Sequence, residues 1–177
     1  MTELVEGLLA VARGDDDGAH PELAPADLGA VTADAVDAAR AAAGGKVVIE
    51  YVPPKEPVQA FFDRDQVYRA ATILLDNAVK YTPEGGVVWA DVRREDGQVR
   101  LRVSDTGVGI PAEDLSRVFE RFYRADPARS EGGAGLGLSI ARQIVRAHGG
   151  EIEAKSKPGK GSTFVLRIPK RDPKPQP

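Results

Sequence analysis

The chain has 177 residues, a length that suits one domain with a short appendage. Its 24 basic and 27 acidic residues give a net charge of -3, so no overall basic field favours nucleic acid. The absence of cysteine excludes a disulfide scaffold, a zinc–thiolate site and a thiol nucleophile, and two histidines are too few for a His-rich metal site. Without a long apolar run or a signal peptide, the sequence predicts a cytoplasmic location.

The two ends of the chain differ from the middle in composition. Residues 1–14 carry apolar side chains at helical spacing (Leu4, Leu8 and Val11), but so short a helix needs a partner. Residues 15–26, which include three consecutive acids, are predicted to be a linker. Residues 170–177 are basic and rich in proline, which predicts a disordered tail. The folded domain is therefore expected to span 27–169.

The elements between these ends predict an α+β fold. Asp27 suits a helix N-cap, and Gly44-Gly45 suits the end of that helix. The pair Asp96-Gly97 predicts a hairpin between two β runs. Helices are predicted at about 27–43, 65–81 and 138–148, and strands in KVVIEYV, VVWADVRR, QVRLRVS, EIEAKS and STFVLRIP. This order predicts a two-layer α/β sandwich with helices on one face of a mixed, mostly antiparallel sheet.

The first cluster of chemically informative residues lies in LLDNAVKYTPEGG, at the end of the second helix. Helical spacing places Asn77, Lys80 and Tyr81 on one face. An amide oxygen can ligate a hard cation such as Mg²⁺, an ammonium group can neutralise phosphate oxygens, and an aromatic ring can flank a base or sugar. Taken alone, however, the cluster favours an ordinary helix end with a solvated lysine.

The second cluster is DTGVGIP, which follows a strand of the buried type. A carboxylate at a strand end, here Asp105, can accept a hydrogen bond from an exocyclic amine, and Gly107 and Gly109 allow close backbone approach. Adenine offers an amine where guanine offers a carbonyl oxygen, so such a site would prefer adenine. A tight turn with an Asx-type cap explains the same residues equally well.

The third cluster is GGAGLGLS at 132–139, which opens a helix. Backbone N–H groups at a helix N-terminus can bind an anion, and glycines let phosphates approach. It is not a dinucleotide fingerprint, because the residues before it are polar and loop-like rather than a strand. Nor is PGKGST a Walker loop, because Gly161 rather than Ser or Thr follows Lys160.

Five motifs then occur in order: LLDNAVKY, DTGVGIP, VFERFYRAD, GGAGLGLSIARQIVRAHGG and GKGSTFVLRIP. They resemble the N box, first glycine box, F box, second glycine box and closing strand pair of sensor histidine kinases. These kinases share an ATPase superfamily with gyrase, Hsp90 and MutL, from which the F box separates them. The resemblance covers roughly 27–169 and implies a Bergerat-type ATP-binding fold with ATP and Mg²⁺ as cofactors.

The resemblance implies nucleotide contacts for the matching residues. Asn77 would ligate Mg²⁺, Asp105 would bind the adenine amine, and Thr163 would lie near the base. The other contacts that it implies are Lys80 and Arg124 with phosphate and Tyr81 with the nucleotide.

The resemblance also implies a mobile lid over 111–132. Phe119 and Phe122 would anchor this lid on the core. The residues that would shape the pocket and the lid are Gly107, Gly109, Ile110, Gly133, Gly135, Leu136, Gly137 and Leu138. His148 stands at a helix end before two glycines and is interpreted as structural.

The sequence departs from the family in two respects. Ile73 replaces a second asparagine that many members carry one turn before Asn77. The histidine that accepts the phosphoryl group is also missing, because His20 lies between helix breakers in GAHPELAPAD. Residues 1–14 resemble the end of the second helix of the dimerisation hairpin that normally carries this histidine.

The resulting prediction is an ATP-binding catalytic domain that supplies Mg·ATP for γ-phosphoryl transfer to a histidine outside this chain. The implied partners are that dimerisation domain and a response regulator, with no nucleic acid. The chain itself is expected to be a monomer, and the parent protein a membrane-anchored homodimer with this domain in the cytoplasm. Alternatives are a non-catalytic ATP-binding or docking module and an anti-sigma-type serine kinase. A clamp ATPase is a further alternative, but the F box argues against it.

Overall fold

A computed structural model of the chain describes residues 20–125 and 134–170. The strands are β1 (Ala24–Asp27), β2 (Val48–Tyr51), β3 (Gln59–Phe62), β4 (Val87–Glu95), β5 (Gln98–Asp105), β6 (Glu151–Lys157) and β7 (Gly161–Pro169). The helices are α1 (Leu28–Ala43), α2 (Arg64–Tyr81), α3 (Ala112–Leu115) and α4 (Gly137–Ala147). The three long helices match the predicted ones to within one residue at each end.

The main sheet has five strands in the order β2-β4-β5-β7-β6, and β1 and β3 form a separate antiparallel ribbon. In the main sheet β2 is parallel to β4, and the other neighbouring strands are antiparallel. The β4–β5 hairpin turns at Asp96 and Gly97, whose φ angles of +48° and +75° suit the turn that the Asp-Gly pair predicts. The predicted mixed, mostly antiparallel sheet is confirmed.

The long helices cover one face of this sheet. Along β4 the side chains of Val88, Ala90 and Val92 are at most 5% exposed, whereas Trp89 between them is 40% exposed. α1, α2 and α4 pack against the buried face, and their apolar residues join the same core. The predicted two-layer α+β sandwich is therefore confirmed. Within the part of the chain described here, none of the helices combines the length and apolarity needed to cross a bilayer.

The start of α1 follows the predicted capping. Oδ1 of Asp27 accepts hydrogen bonds from the backbone N–H of Gly29 and of Val58, both at 2.9 Å. At the other end, Gly44 adopts a left-handed conformation with a φ of +57°, which a glycine accommodates most easily. The Asp27 carboxylate thus fixes both the helix start and the chain leading into β3.

Three short elements, β1, β3 and α3, are not among the predicted strands and helices. Ala24–Asp27 forms β1 against β3, although 15–26 was predicted to be a linker. α3 lies within the predicted lid and has only four residues. All three elements have four residues, which is too short for apolar periodicity to reveal them. The predicted hairpin end at 1–14 and the tail beyond Lys170 lie outside the described residues.

His148 joins the end of α4 to the start of α2, and the structural interpretation of this residue is confirmed. Its Nδ1 lies 2.7 Å from the carbonyl oxygen of Ile144, which can only accept, so Nδ1 carries the proton. Nε2 is then free to accept from the backbone N–H of Asp63 at 3.0 Å. Asp63 in turn caps α2 through Oδ1, which accepts from the N–H groups of Asp65 and Gln66.

Replacing His148 by alanine is expected to lower the free energy of unfolding by about 1–3 kcal/mol, because the part-buried Asp63 amide loses its acceptor. Chemical denaturation followed by circular dichroism measures this change. His20→Ala, at the exposed second histidine, is the matched control and should stay within about 0.5 kcal/mol of wild type. A His148→Ala chain as stable as the control would contradict the bridging role.

Tyr51 ties β2 to the first turn of α1. Its hydroxyl donates to the carbonyl oxygen of Gly29 at 2.9 Å. Burial, together with the nearby Asp27 carboxylate, raises the pKa of Tyr51 to about 12. The folded state therefore favours the neutral phenol, which keeps its hydrogen bond.

A raised phenol pKa makes the Tyr51 contribution to stability sensitive to alkali. This contribution is fully present below the ordinary pKa of about 10 and is lost as the pH rises from about 10 towards the folded-state value. The stability difference between wild type and Tyr51→Phe should be constant up to about pH 10 and should narrow above it. Urea unfolding across this pH range tests the expectation, and an unchanged difference at pH 12 would refute it.

Candidate functional site

The site is built around Asp105, the last residue of β5, which is only 7% exposed. Oδ1 accepts hydrogen bonds from the backbone N–H of Gly107 at 2.8 Å and of Ser162 at 3.2 Å. Burial raises the pKa of the Asp105 carboxyl, and the two N–H groups oppose that shift. Because both amides use Oδ1, Oδ2 is the oxygen that remains for an incoming donor.

The glycine turn after Asp105 lies against two other segments. The N–H of Val108 donates to the carbonyl oxygen of Tyr81, at the end of α2, at 3.1 Å. A side chain on Gly107 would also collide with that carbonyl. Gly109 has a φ of +74°, and a Cβ there would overlap the carbonyl oxygen of Lys157. Glycine is therefore required sterically at both positions, because other parts of the chain's own backbone lie against them.

The β6–β7 hairpin forms the opposite wall. A Cβ on Gly161 would overlap the carbonyl oxygen of Asp105, so β7 begins in direct contact with the end of β5. The N–H of Gly159 donates to the carbonyl oxygen of Val108 at 2.8 Å, and the N–H of Ile110 donates to Oγ of Ser156 at 2.7 Å. The whole turn is thereby fastened to the hairpin.

α2 carries the first cluster and lies between the glycine turn and the start of α4. Asn77 is half-buried, whereas Lys80 and Tyr81 are exposed, with Nζ of Lys80 5.6 Å from the centre of the Tyr81 ring. One turn before Asn77, Ile73 faces Gly137, where its Cγ2 would lie 3.3 Å from an added Cβ. The N-terminus of α4 therefore sits against α2, and the three clusters identified in the sequence meet in space.

The two F-box phenylalanines have different environments. Phe119 is 7% exposed and packs edge-to-face on Phe164, with ring centres 6.2 Å apart. Phe122 is 61% exposed, so the prediction that it anchors the lid on the core is wrong. Its φ of +65° is a left-handed conformation, and its N–H donates to the carbonyl oxygen of Gly135 at 3.0 Å. The backbone at this position is held in place while the ring faces solvent.

The start of α4 is shaped by the second glycine box. Gly135 has a φ of +69°, and a Cβ there would lie 2.8 Å from the carbonyl oxygen of Tyr123. Leu136 is buried and Leu138 packs partly on the core. Among the residues that the structure describes, no side chain makes a capping hydrogen bond to the N–H groups at this helix N-terminus. Gly133 lies outside the described residues.

Thr163 and Arg124 complete the set of predicted contacts. The Thr163 hydroxyl lies 3.0 Å from Oγ of Ser104, its partner on the neighbouring strand and the residue directly before Asp105. Arg124 is half-buried and follows Tyr123, whose hydroxyl bonds to Asp114. The guanidinium of Arg117 stacks 4.3 Å from the Tyr123 ring. This small cluster holds the chain from which Arg124 extends.

The described side chains do not form a complete set of metal ligands. Among the residues that the structure describes, no group of three or more histidine or carboxylate side chains could enclose a metal ion. Asn77 carries an amide oxygen, a ligand type that suits Mg²⁺, and follows by one helical turn the residue of α2 that lies against the start of α4. A cation here would need most of its remaining ligands from phosphate and water, which is the usual situation for Mg²⁺ bound with nucleotide.

Sequence reasoning missed Ser156, Gly161 and Ser162 as parts of the site. Ser162 contributes its backbone N–H, which no side-chain pattern reveals. Gly161 has a φ of +91°, and the repeated glycines of PGKGS were the available signal. The position of Ser156 beside Ile110 depends on strand pairing between distant segments.

The comparisons with known proteins agree with this geometry. Residues 62–172 match the family described as Histidine kinase-, DNA gyrase B-, and HSP90-like ATPase. SenX3 of Mycobacterium tuberculosis, a sensor-like histidine kinase, is 34% identical over 171 residues, which are 96% of this chain and 42% of SenX3. The chain thus spans less than half the length of this curated relative.

Two solved structures share the fold. The mycobacterial sensor histidine kinase MprB has a TM-score of 0.74 and 31% identity, over 84% of this chain and 99% of that one. Full-length ShkA in complex with AMPPNP has a TM-score of 0.73 and 31% identity, over 83% of this chain and 31% of that one. The chain belongs to the histidine kinase-, DNA gyrase B- and HSP90-like ATPase family, and over most of its length it is similar to the ATPase domain of sensor histidine kinases.

Proposed function

We propose that this chain binds Mg·ATP in the pocket around Asp105 and presents the γ-phosphoryl group to a histidine on a separate domain. The observation that carries the proposal is the Asp105 carboxylate, with Oδ1 saturated by two backbone amides and Oδ2 left for a donor. Such an acceptor suits the exocyclic amine of adenine and disfavours guanine, which presents a carbonyl oxygen at the same position.

The phosphates are proposed to extend from the base towards α4. The uncapped N-terminus of α4 supplies backbone N–H groups and the positive end of the helix dipole. Glycine at 135 and 137 keeps side chains away from this helix start. Lys80 and Arg124 are proposed to neutralise phosphate oxygens, with Tyr81 flanking the nucleotide.

Asn77 is proposed to hold Mg²⁺ through its amide oxygen, together with phosphate oxygens. When bound, the ion would neutralise the phosphates and orient the γ-phosphoryl group. In the transfer, the bond between the γ-phosphorus and the β–γ bridging oxygen breaks and a bond from an imidazole nitrogen to that phosphorus forms, leaving ADP. This chain orients the nucleotide and excludes water from its base, while the nucleophile comes from elsewhere.

Because this chain would supply the nucleotide and another domain the nucleophile, the whole protein needs partners for the transfer. A dimerisation domain that carries the histidine and a response regulator that receives the phosphoryl group are proposed for the whole protein. We further propose that the domain acts in the cytoplasm and that the parent protein is a membrane-anchored homodimer, whereas this chain is a monomer. We propose 27–169 as the catalytic unit, to which β1 adds residues 24–26. Residues 1–14 are proposed as the end of the dimerisation hairpin, 15–23 as a linker and 170–177 as a tail.

A non-catalytic nucleotide-binding module is the second candidate. Ile73 favours it, because an apolar side chain that faces Gly137 replaces an amide one turn before Asn77. Metal and phosphate contacts then rest more heavily on Asn77. Phosphoryl transfer to a supplied acceptor domain separates the two candidates.

Asp105→Asn is expected to weaken ATP binding by roughly 5- to 150-fold, corresponding to about 1–3 kcal/mol for a base-edge hydrogen bond. Asparagine keeps an oxygen for the Gly107 and Ser162 amides, so the fold should survive. Its NH₂ group, however, would face the adenine amine donor-to-donor. Calorimetric titration with ATP and GTP, each with and without Mg²⁺, measures the effect.

The control for this titration is Asp114→Asn, a carboxylate that bonds to Tyr123 rather than to the glycine turn. It should leave the preference for ATP over GTP unchanged. Retention of wild-type ATP affinity by a folded Asp105→Asn chain would show that the base is recognised elsewhere. No binding of ATP to the folded wild-type chain would refute the proposed pocket.

The chain is expected not to phosphorylate itself, because the described histidines do not suit the acceptor role: His148 is buried and bonded, and His20 lies outside any helix. Incubation with radiolabelled ATP and a separate histidine-bearing dimerisation domain should label that domain only. The label should be stable to base and labile to acid. Label on this chain, or on serine of the partner, would contradict histidine phosphorylation in trans.

A further inference from the structure

We infer that Ser156 is a positioning residue for the nucleotide base: through its hydroxyl it holds the glycine turn at the distance from Asp105 that adenine recognition requires. Ser156 lies on β6, two strands away from Asp105 in the five-stranded sheet. The inference rests on the proposed function, because it concerns how the same pocket is kept in shape. No nucleotide contact is assigned to Ser156 itself.

The hydroxyl of Ser156 has three polar neighbours. Its Oγ lies 2.7 Å from the backbone N of Ile110, 2.8 Å from the carbonyl oxygen of Gly161 and 2.9 Å from Oγ of Ser162. A hydroxyl can donate one hydrogen bond and accept two. The Ile110 N–H can only donate and the Gly161 carbonyl can only accept, so Ser156 donates its single proton to Gly161.

The direction of the remaining bond follows from this assignment. Because the Ser156 proton points to Gly161, the Ser162 hydroxyl must donate to Ser156. The hydrogen-bonding capacity of Ser156 is then full, with each bond directed to a different group of the pocket. Alanine, which has no hydroxyl, could satisfy none of the three.

The three bonds reach the residues that surround Asp105. Ile110 ends the glycine turn, which begins with the Gly107 N–H bonded to Asp105 Oδ1. Ser162 supplies the second N–H to the same oxygen. Gly161 lies against the Asp105 main chain. Ser156 is therefore connected to both segments that donate to Asp105 Oδ1. It bonds to the glycine turn through Ile110 and to the β6–β7 hairpin through Ser162.

Loss of the hydroxyl is expected to release the turn without unfolding the domain. The β6–β7 ladder runs over seven residue pairs from Glu151 to Lys157 and does not use the Ser156 side chain. The bond from Gly159 N–H to the Val108 carbonyl would still hold the middle of the turn. The Ile110 end, however, would lose its acceptor, and Asp105 would face a turn of variable position.

The first test uses the nucleotide-free chain. Amide hydrogen exchange measured by NMR should be at least about tenfold faster for Ile110 in Ser156→Ala than in wild type, because the amide loses its acceptor. Ser156→Thr, which keeps the hydroxyl, should restore slow exchange. Unchanged exchange of Ile110 in Ser156→Ala would refute the inference, whatever the chain binds.

The second test measures base recognition. Titration of the full chain with ATP and GTP should show ATP affinity reduced roughly fivefold in Ser156→Ala, with a smaller preference over GTP and recovery in Ser156→Thr. His148→Ala is the control for lost stability, because it weakens the fold at the far end of α4. This control should keep the wild-type preference for ATP.

The outcomes separate this inference from the proposed function. If wild type binds no ATP, the proposed pocket fails while the exchange result still decides the role of Ser156 in the turn. If wild type binds ATP and Ser156→Ala binds it with the same affinity and base preference, the positioning role is wrong and the proposed function stands. An equal loss of preference in His148→Ala would show a general effect of stability and would also overturn the inference.

Discussion

The buried carboxylate of Asp105 is the constraint on which the rest of the site depends. One of its oxygens accepts from the turn that directly follows it and from Ser162, which lies 57 residues further along the sequence. An ionisable group in such a position is costly, as its raised pKa shows, and the two amides offset part of that cost. A simple apolar side chain would avoid the cost but would leave two buried amides without an acceptor. The glycine turn and the β6–β7 hairpin meet where they do because both bond to this residue.

α2 is the helix that brings the separate sequence motifs together in one site. Its last carbonyl, on Tyr81, accepts from the glycine turn, and Ile73 on its third turn contacts the start of α4. The helix is itself fixed at its N-terminus, where Asp63 caps it and His148 holds the capping residue. Both ends of α2 are therefore tied to distant parts of the chain, so Asn77 between them is held at a defined place relative to both glycine boxes.

The two sides of the site differ in how firmly they are held. The base side is joined by hydrogen bonds from Ile110, Gly159 and Ser162 to three different strands or turns. On the phosphate side, the Phe122 ring is exposed and its backbone is in a left-handed conformation, which costs free energy. Segments with few buried contacts open at lower free energy than core strands. Under the proposed function, the firmly bonded side would hold the base, and the side that carries the exposed Phe122 ring would face the phosphates.

The sequence by itself determined the long helices, the capping role of Asp27, the fold class and the motif order that marks the family, because these depend on local spacing and on residue type. It also pointed to Asp105 and the glycines as candidate site residues, since a carboxylate followed by glycines is a local pattern. Tertiary structure alone decided that β1 pairs with β3, that Phe122 faces solvent while Phe119 is buried, and that Ser156 meets Ile110. The physical reason is that short elements carry too little periodicity to be recognised, and that contacts between residues about 40 or more positions apart are set by strand order and register. Strand order and register are properties of the whole folded sheet, and no single segment of the chain determines them.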